Sequence, residues 1–192
     1  MITYDKLIKK HYILQQRRIN PFKAKKPFEP FEGFGIECGK GWYNLLDVLC
    51  TKIEKELDNN KKLKKEFRVS QIKEKFGGLR FYVGCSIDAI DKLIDEVEER
   101  SYTVCENCGE SAVTLSIRGW ISTLCKNCSI AELQRWKKDV IGGIDKAEST
   151  INIFKGKESL TNEESMELSD AQEWFTIGDN QLKEIHKKMN KI

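Results

Sequence analysis

Two cysteine pairs, Cys105-x2-Cys108 and Cys125-x2-Cys128, constrain what this chain can fold into more than any other feature. Two residues inside each pair bring two sulfurs to one point, and the 16 residues between Cys108 and Cys125 suffice for a short β-hairpin. This is the spacing of a structural four-cysteine zinc site, in which thiolates surround Zn²⁺ tetrahedrally and leave no open position. The segment from Tyr102 to Gly109 has the form of a zinc knuckle, with a glycine after the second cysteine to let the backbone turn. Val113–Ile117 and Trp120–Leu124, turned at Arg118-Gly119, form the predicted hairpin. Cys125-Lys-Asn-Cys128 then opens a helix through Leu133, Trp136 and Val140. Knuckle, hairpin and helix in that order are expected to make a treble-clef finger or zinc ribbon around one structural Zn²⁺. Trp120 and Trp136 are expected to pack around the metal. A redox pair explains one C-x-x-C motif but not two at this spacing.

The remaining cysteines, Cys38, Cys50 and Cys85, are expected to be small apolar core residues. An odd total with metal spacing fits a reducing cytoplasm better than a disulfide framework. The start of the chain carries no apolar signal segment, and no run of about 18 apolar residues exists to span a membrane. The formal charge of +3 falls to +1 when four thiolate charges are set against the two of Zn²⁺, because binding releases the thiol protons. Global charge therefore selects no partner. Its distribution is more informative: residues 1–31 hold eight Lys/Arg against Asp5 and Glu29, while residues 158–180 hold seven acids and no base.

Four segments follow from pattern and composition. Residues 1–32 form a basic arm that holds Arg17 and Arg18 and all three prolines. It is expected to be extended and to pack through Phe22, Phe28 and Phe31. Residues 33–101 form an α+β core, residues 102–141 the four-cysteine finger, and residues 142–192 a helical C-terminal segment with a hinge expected at Gly142-Gly143. In the core, Trp42, Leu45, Leu46, Leu49, Ile53 and Leu57 recur at helical spacing, as do Ile87, Ile90, Leu93, Ile94 and Val97. Gly39-Lys-Gly41 lacks the frame of a phosphate loop and reads as a tight turn leading into the first helix.

Between the two helices, β-rich runs around Gly77-Gly78 signal a hairpin. With Gly77-Gly78 as its turn, Lys75 faces Arg80 and Lys73 faces Tyr82. One face is then apolar, with Glu74 its one polar member. The other gathers Lys73, Lys75, Arg80 and Tyr82, a mixed basic–aromatic surface with like charges opposed. An anionic partner, or a carboxylate of the same chain, would relieve that repulsion. Phe67 and Val69 do not share parity with Ile72, so a bulge is expected. The fold class is therefore α+β: a helix–hairpin–helix layer, then the metal module, then a helical tail.

Only His11 and His186 are present, and neither lies in a catalytic motif such as HExxH; G-x-S-x-G is absent as well. A binding role is expected rather than an enzymatic one, with no catalytic residues assigned.

Gly41-Trp42-Tyr43-x-Leu-Leu, Ile72-Lys-Glu-Lys-Phe-Gly-Gly-Leu-Arg-Phe-Tyr82, Cys105-Glu-x-Cys-Gly and Leu124-Cys-x-x-Cys128 together resemble a set of small uncharacterised zinc-finger-containing phage and prophage proteins, over roughly residues 33–130. The resemblance implies a phage-type origin, a host bacterial cytoplasm and a zinc site at the matching cysteines; it carries no activity. The expected function is a zinc-binding protein that binds a host macromolecule, most simply a protein, as a regulator or inhibitor, including inhibition of a host defence system. A nucleic-acid-binding finger using the basic arm is the alternative, and sequestration of a small phosphorylated ligand is another. No membrane contact is expected, and a homodimer is within the expected range of partners.

Overall fold

A computed structural model describes residues 2–16 and 19–192. The chain forms two compact units, residues 1–128 and residues 129–192. Arg17 and Arg18 of the basic arm lie outside the described residues.

In the first unit the arm is not a free linker. Its helix α1 (Tyr4–Lys10) is capped by Thr3, whose hydroxyl accepts from the Lys6 amide, and Leu7 is fully buried. His11 follows, 1% exposed, with Nε2 2.7 Å from an Asp47 oxygen and Nδ1 2.9 Å from a Glu54 oxygen. Both carboxylates belong to α3 (Tyr43–Asn59), so the arm is tied across the helix that forms the centre of the core. Ile13 and Leu14 are buried beyond it. Of the three arm phenylalanines, Phe31 is buried and Phe28 half-buried, but Phe22 is 92% exposed in a one-turn 3-10 segment. The arm is anchored through its aliphatic residues and Phe31, not through Phe22.

Leu45, Leu46, Leu49, Ile53 and Leu57 line one side of α3 and are all buried, each such side chain contributing about 1.5–3 kcal/mol. The lysine-rich connector is itself a short helix, α4 (Lys61–Glu66), because Asn60 caps it and Leu63 anchors it in the core. A three-stranded sheet packs beneath, in the order β1 (Ile36–Glu37), β2 (Val69–Lys75), β3 (Gly78–Val83). β1, which follows the short helix α2 (Pro30–Phe34), is parallel to β2, whereas β2 and β3 form the predicted hairpin. The bulge lies between Val69 and Gln71.

The hairpin turn is Phe76-Gly77 rather than Gly77-Gly78. Both turn residues have positive φ, 52° and 77°, as a type I′ turn demands. Lys73 therefore faces Arg80 and Lys75 faces Gly78. The pairing moves by two positions, so each side chain keeps its predicted face. Gly78 is required in the strand: a Cβ there would lie 2.5 Å from the Tyr102 ring. Glu74, the polar residue on the apolar face, accepts the Gly77 amide at 2.7 Å and closes the turn.

β3 is an edge strand, and α5 (Asp88–Ser101) covers its outward amides. The Ser101 hydroxyl accepts the Leu79 amide at 2.8 Å and Glu98 accepts the Phe81 amide at 2.9 Å. The two side chains sit one helical turn apart, as two alternate amides of a strand require, and the edge is closed to further pairing.

After α5 come the finger strands β4 (Val113–Ile117) and β5 (Trp120–Leu124), paired as predicted around Arg118-Gly119. The helix α6, which opens at the second cysteine pair, runs unbroken from Lys126 to Phe154, so Gly142-Gly143 makes no break in it. α7 is continuous from Asn162 to Met189, started by a Thr161–Glu164 capping box. Among the described residues no helix is long and apolar enough to cross a membrane.

Candidate metal centre and the face beside it

Cys105, Cys108, Cys125 and Cys128 converge, with their sulfurs all within 4.8 Å of one another. Two local structures produce this. In the knuckle, the Gly109 amide donates back to the Cys105 carbonyl at 2.8 Å, and the Cys105 amide to the Glu110 carbonyl at 2.7 Å. Gly109 has φ +82°, which makes the turn possible. At the second pair, α6 begins immediately after Cys125, and the Cys128 amide points at the Cys125 sulfur at 3.5 Å.

The electrostatics fit a cation. The Cys128 amide draws the Cys125 thiol down to about 7, while burial and the neighbouring sulfurs push the Cys128 thiol well up. Four sulfurs this close cannot all ionise unaided, and a metal ion at their centre deprotonates coordinating thiols outright. The four cysteines can hold a metal ion, and a four-thiolate set leaves it no open position. Cys105 is buried and the other three are half-buried.

This module is joined to the α+β core through glycines. Gly39 and Gly41 flank a one-turn 3-10 segment (Lys40–Trp42) before α3. The Gly39 amide donates to the Glu106 carboxylate at 2.9 Å, and the Gly41 amide to the Glu106 carbonyl at 2.7 Å. Burial pushes the Glu106 carboxyl up against the opposing pull of the Gly39 amide. A Cβ on Gly41 would run into the carbonyl of Cys105 and lie 2.6 Å from the Gly109 nitrogen. Trp42, fully buried, donates its indole N–H to the Val104 carbonyl at 2.7 Å. A second seam lies at Gly77, whose carbonyl accepts the Thr123 hydroxyl at 2.6 Å. A Cβ on Gly77 would lie 3.0 Å from both Ile121 and Thr114. The turn read into Gly39-Lys-Gly41 is thus also the seat of the cysteine knuckle. Glycine pairs flanking a 3-10 turn carry no marking of the partner they seat, so the sequence did not reveal it.

Lys73, Lys75, Arg80 and Tyr82 lie on one face of the β2–β3 hairpin, but their charges are differently engaged. Arg80 reaches the Tyr102 hydroxyl at 2.6 Å and Glu98 at 3.6 Å. Burial disfavours the Arg80 charge, and these two partners outweigh it. Lys73 lies over the Tyr82 ring at 5.7 Å, and Lys75 over the Phe76 ring at 5.5 Å. Among the described residues no carboxylate pairs with either lysine. Tyr82 is 40% exposed and Phe76 66%.

Trp136 is buried, whereas Trp120 is 69% exposed and does not pack as expected. Trp120 occupies the first strand position after the Arg118-Gly119 turn, at the hairpin tip. Burial pushes the Cys38 thiol up to about 12 and the Cys50 thiol well above its ordinary range, as core thiols require.

No protein-family model matches the chain, and neither a curated protein nor a solved structure does.

Proposed function

We propose that this chain is a non-enzymatic, zinc-stabilised protein of phage type that binds a host protein as a regulator or inhibitor. The observation that carries the reading is the four-thiolate cluster seated on Gly39 and Gly41. A tetrahedral Zn²⁺ with Zn–S bonds of about 2.3 Å sets its sulfurs about 3.8 Å apart. The cluster spans up to 4.8 Å, with Cys108 and Cys125 already at 3.5 Å. A closed thiolate shell favours a structural role, and knuckle, hairpin and helix follow in treble-clef order. The metal then serves as scaffold, and function lies on the surface.

The contact surface is the hairpin face of Lys73, Lys75 and Tyr82, with Phe76 at its tip. Among the described residues neither lysine is in an ion pair, although Glu37 stands beside Lys73 in the parallel register, and both lie beside exposed aromatic rings, which suits an acidic, partly apolar patch on a partner. Arg80 belongs to the same face with its charge already shared with Glu98 and Tyr102. Capture from a bacterial lysate by the full metal-loaded chain and by a Lys73→Ala/Lys75→Ala variant tests this. A protein retained by the first and lost from the second, with unchanged circular dichroism, supports the reading; identical retained sets refute it.

One observation favours nucleic acid as a second reading. Phe22 stands 92% exposed beside exposed Lys23, Lys25 and Lys26, an arrangement suited to stacking on a base while contacting phosphates. Binding of a single-stranded oligonucleotide that weakens steeply with salt supports this reading, and no binding at low salt removes it.

A further inference from the structure

The N-terminal arm holds a loop that is fixed in place yet leaves its charges unpaired. The Ile19 amide donates to the Glu32 carbonyl at 3.0 Å, and Asn20 caps the one-turn segment Pro21–Lys23 by accepting the Phe22 amide at 3.0 Å. A Cβ on Gly33 of α2 would lie 2.7 Å from the Phe28 ring and 3.1 Å from Pro21, so the loop closes directly on that helix. Core packing explains none of what the loop displays. Lys23, Lys25 and Lys26 are exposed with no ion pair among the described residues, and Phe22 is 92% exposed beside them.

Two clefts meet beside this loop. One, of about 440 Å³, is lined by Lys23, Lys25, Lys26 and Phe28, and the other, of about 360 Å³, by Tyr12, Lys64, Phe67 and Arg68. Glu32 lines both, which joins the arm loop to α4 along one groove. Five bases face this single carboxylate, so the field in the groove is positive. The Glu32 carboxylate is itself engaged in the α2 cap, where it accepts the Glu29 amide at 3.1 Å. Arg68 is positioned by backbone alone: its guanidinium donates to the Phe67 carbonyl at 2.6 Å and the Lys65 carbonyl at 3.1 Å, and among the described residues no carboxylate pairs with it. Lys64 lies over the Tyr12 ring at 4.4 Å and shares its charge with Asp58. Exposed Lys61 and Lys65, one turn apart on α4, extend the basic edge.

Bases in series with an exposed ring at one end suit a flexible polyanion that carries aromatic bases. A free phosphate or a single nucleotide would engage one cleft and leave the other empty. An acidic protein segment matches the charge but does not bring a ring at every repeat, as a nucleotide chain does. We infer that this groove takes single-stranded nucleic acid: one base stacks on Phe22, and the backbone runs from the loop lysines past Glu32 to Lys64 and Arg68. The inference rests on the nucleic-acid reading of the basic arm, to which it adds α4 and the path of the strand. It is independent of the metal and of the hairpin face.

Fluorescence anisotropy of labelled oligo(dT) and oligo(rU) of about 12 nucleotides, with the full zinc-loaded chain, tests it. The wild type is expected to bind at about 50 mM salt, with log affinity falling against log salt by about 0.7 for each phosphate contacted. Phe22→Ala should lower affinity at least about fivefold, the loss of one stacked base. Lys23→Ala/Lys26→Ala should flatten the salt slope by about 1.4. Lys64→Glu should weaken binding at least about threefold, and so should Arg68→Gln, which keeps donors for the two carbonyls. Lys92→Glu on α5, which lines neither cleft, should stay within about twofold of wild type. No binding of either oligonucleotide at about 50 mM salt removes the nucleic-acid reading as a whole. Binding that Phe22→Ala weakens but Lys64→Glu and Arg68→Gln leave unchanged overturns the groove and keeps the arm reading. Thymidine monophosphate that competes as well as the oligonucleotide, mole for mole, overturns the strand. A loss in Lys92→Glu as large as that in Lys64→Glu, or binding abolished by Lys73→Ala/Lys75→Ala, also overturns the assignment to this groove.

Discussion

Trp42 and Val104 join the α+β core to the cysteine module: the indole N–H of the first donates to the carbonyl of the second at 2.7 Å, and the ring is fully buried. Val104 immediately precedes Cys105, the first cysteine of the cluster, and Trp42 immediately precedes α3. The knuckle is thus fixed to the start of the central core helix. Together with the Glu106 bonds to Gly39 and Gly41, this makes the four-cysteine cluster part of the core's own architecture.

Gly41→Ala should be strongly destabilising. The added methyl meets the backbone of Cys105, Glu106 and Gly109, none of which can rotate aside as a side-chain tip would. A loss of at least about 3 kcal/mol, the upper end of ordinary overpacking, is expected in chemical denaturation, with weakened metal retention. Lys40→Ala, between the two glycines, should change stability by less than about 0.5 kcal/mol.

The hairpin-face cations should separate cleanly. Arg80→Ala removes the bond to Tyr102 and leaves the half-buried Glu98 carboxylate without its guanidinium, so thermal or urea unfolding should show a loss of about 1–3 kcal/mol. Lys75→Ala should leave stability within about 0.5 kcal/mol of wild type, because Lys75 is exposed and its ammonium lies over the Phe76 ring with no ion pair among the described residues.

Asp47 gives a pH-dependent anchor for the arm. Burial alone would raise its carboxyl, but hydrogen bonds from Lys10 and His11 outweigh that and hold it lowered. A carboxyl lowered in the folded state contributes stability above its unfolded value, and the contribution is lost as pH falls through the folded one. Asp47→Asn should therefore cost about 1–2 kcal/mol near neutrality. The gap to wild type should close as pH falls below about 4, measured by urea midpoints across pH.

Metal content should distinguish the seven cysteines. Cobalt substitution of the wild type should give the visible absorption of a tetrahedral thiolate centre. Cys108→Ser or Cys125→Ser should lose or strongly alter it. Cys50→Ser should keep it, because that thiol is buried away from the cluster.

The parts of the fold legible in the sequence were those encoded by spacing. The cysteine pairs, the β4–β5 hairpin around Arg118-Gly119, the apolar stripe of α3 and the bulge near Val69 all follow from periodicity or fixed turn chemistry. The rest depended on contacts between segments distant in sequence. The β2–β3 turn lies at Phe76-Gly77, which leaves Gly78 in the strand where a Cβ would meet the Tyr102 ring, and no local signal carries that contact. Glu98 and Ser101 lie outside the apolar positions that helical spacing marks between Ile87 and Val97, yet they close the edge of β3. Gly142-Gly143 resembled a hinge, but neither position meets another side chain within 4 Å and both remain helical. The four-cysteine cluster was readable; the seat that joins it to the core was not.

One metal ion bound at the four cysteines is expected to hold the cysteine module and the α+β core together as a single folding unit. Amide hydrogen exchange of the zinc-loaded full chain, compared with the same chain after chelation, tests it most directly. Removal of the metal should accelerate exchange at the β2–β3 amides and at the buried turns of α3 by at least about tenfold, alongside the knuckle amides, as coupled folding and binding requires. Exchange in β2, β3 and α3 that stays unchanged while the knuckle alone opens would contradict it.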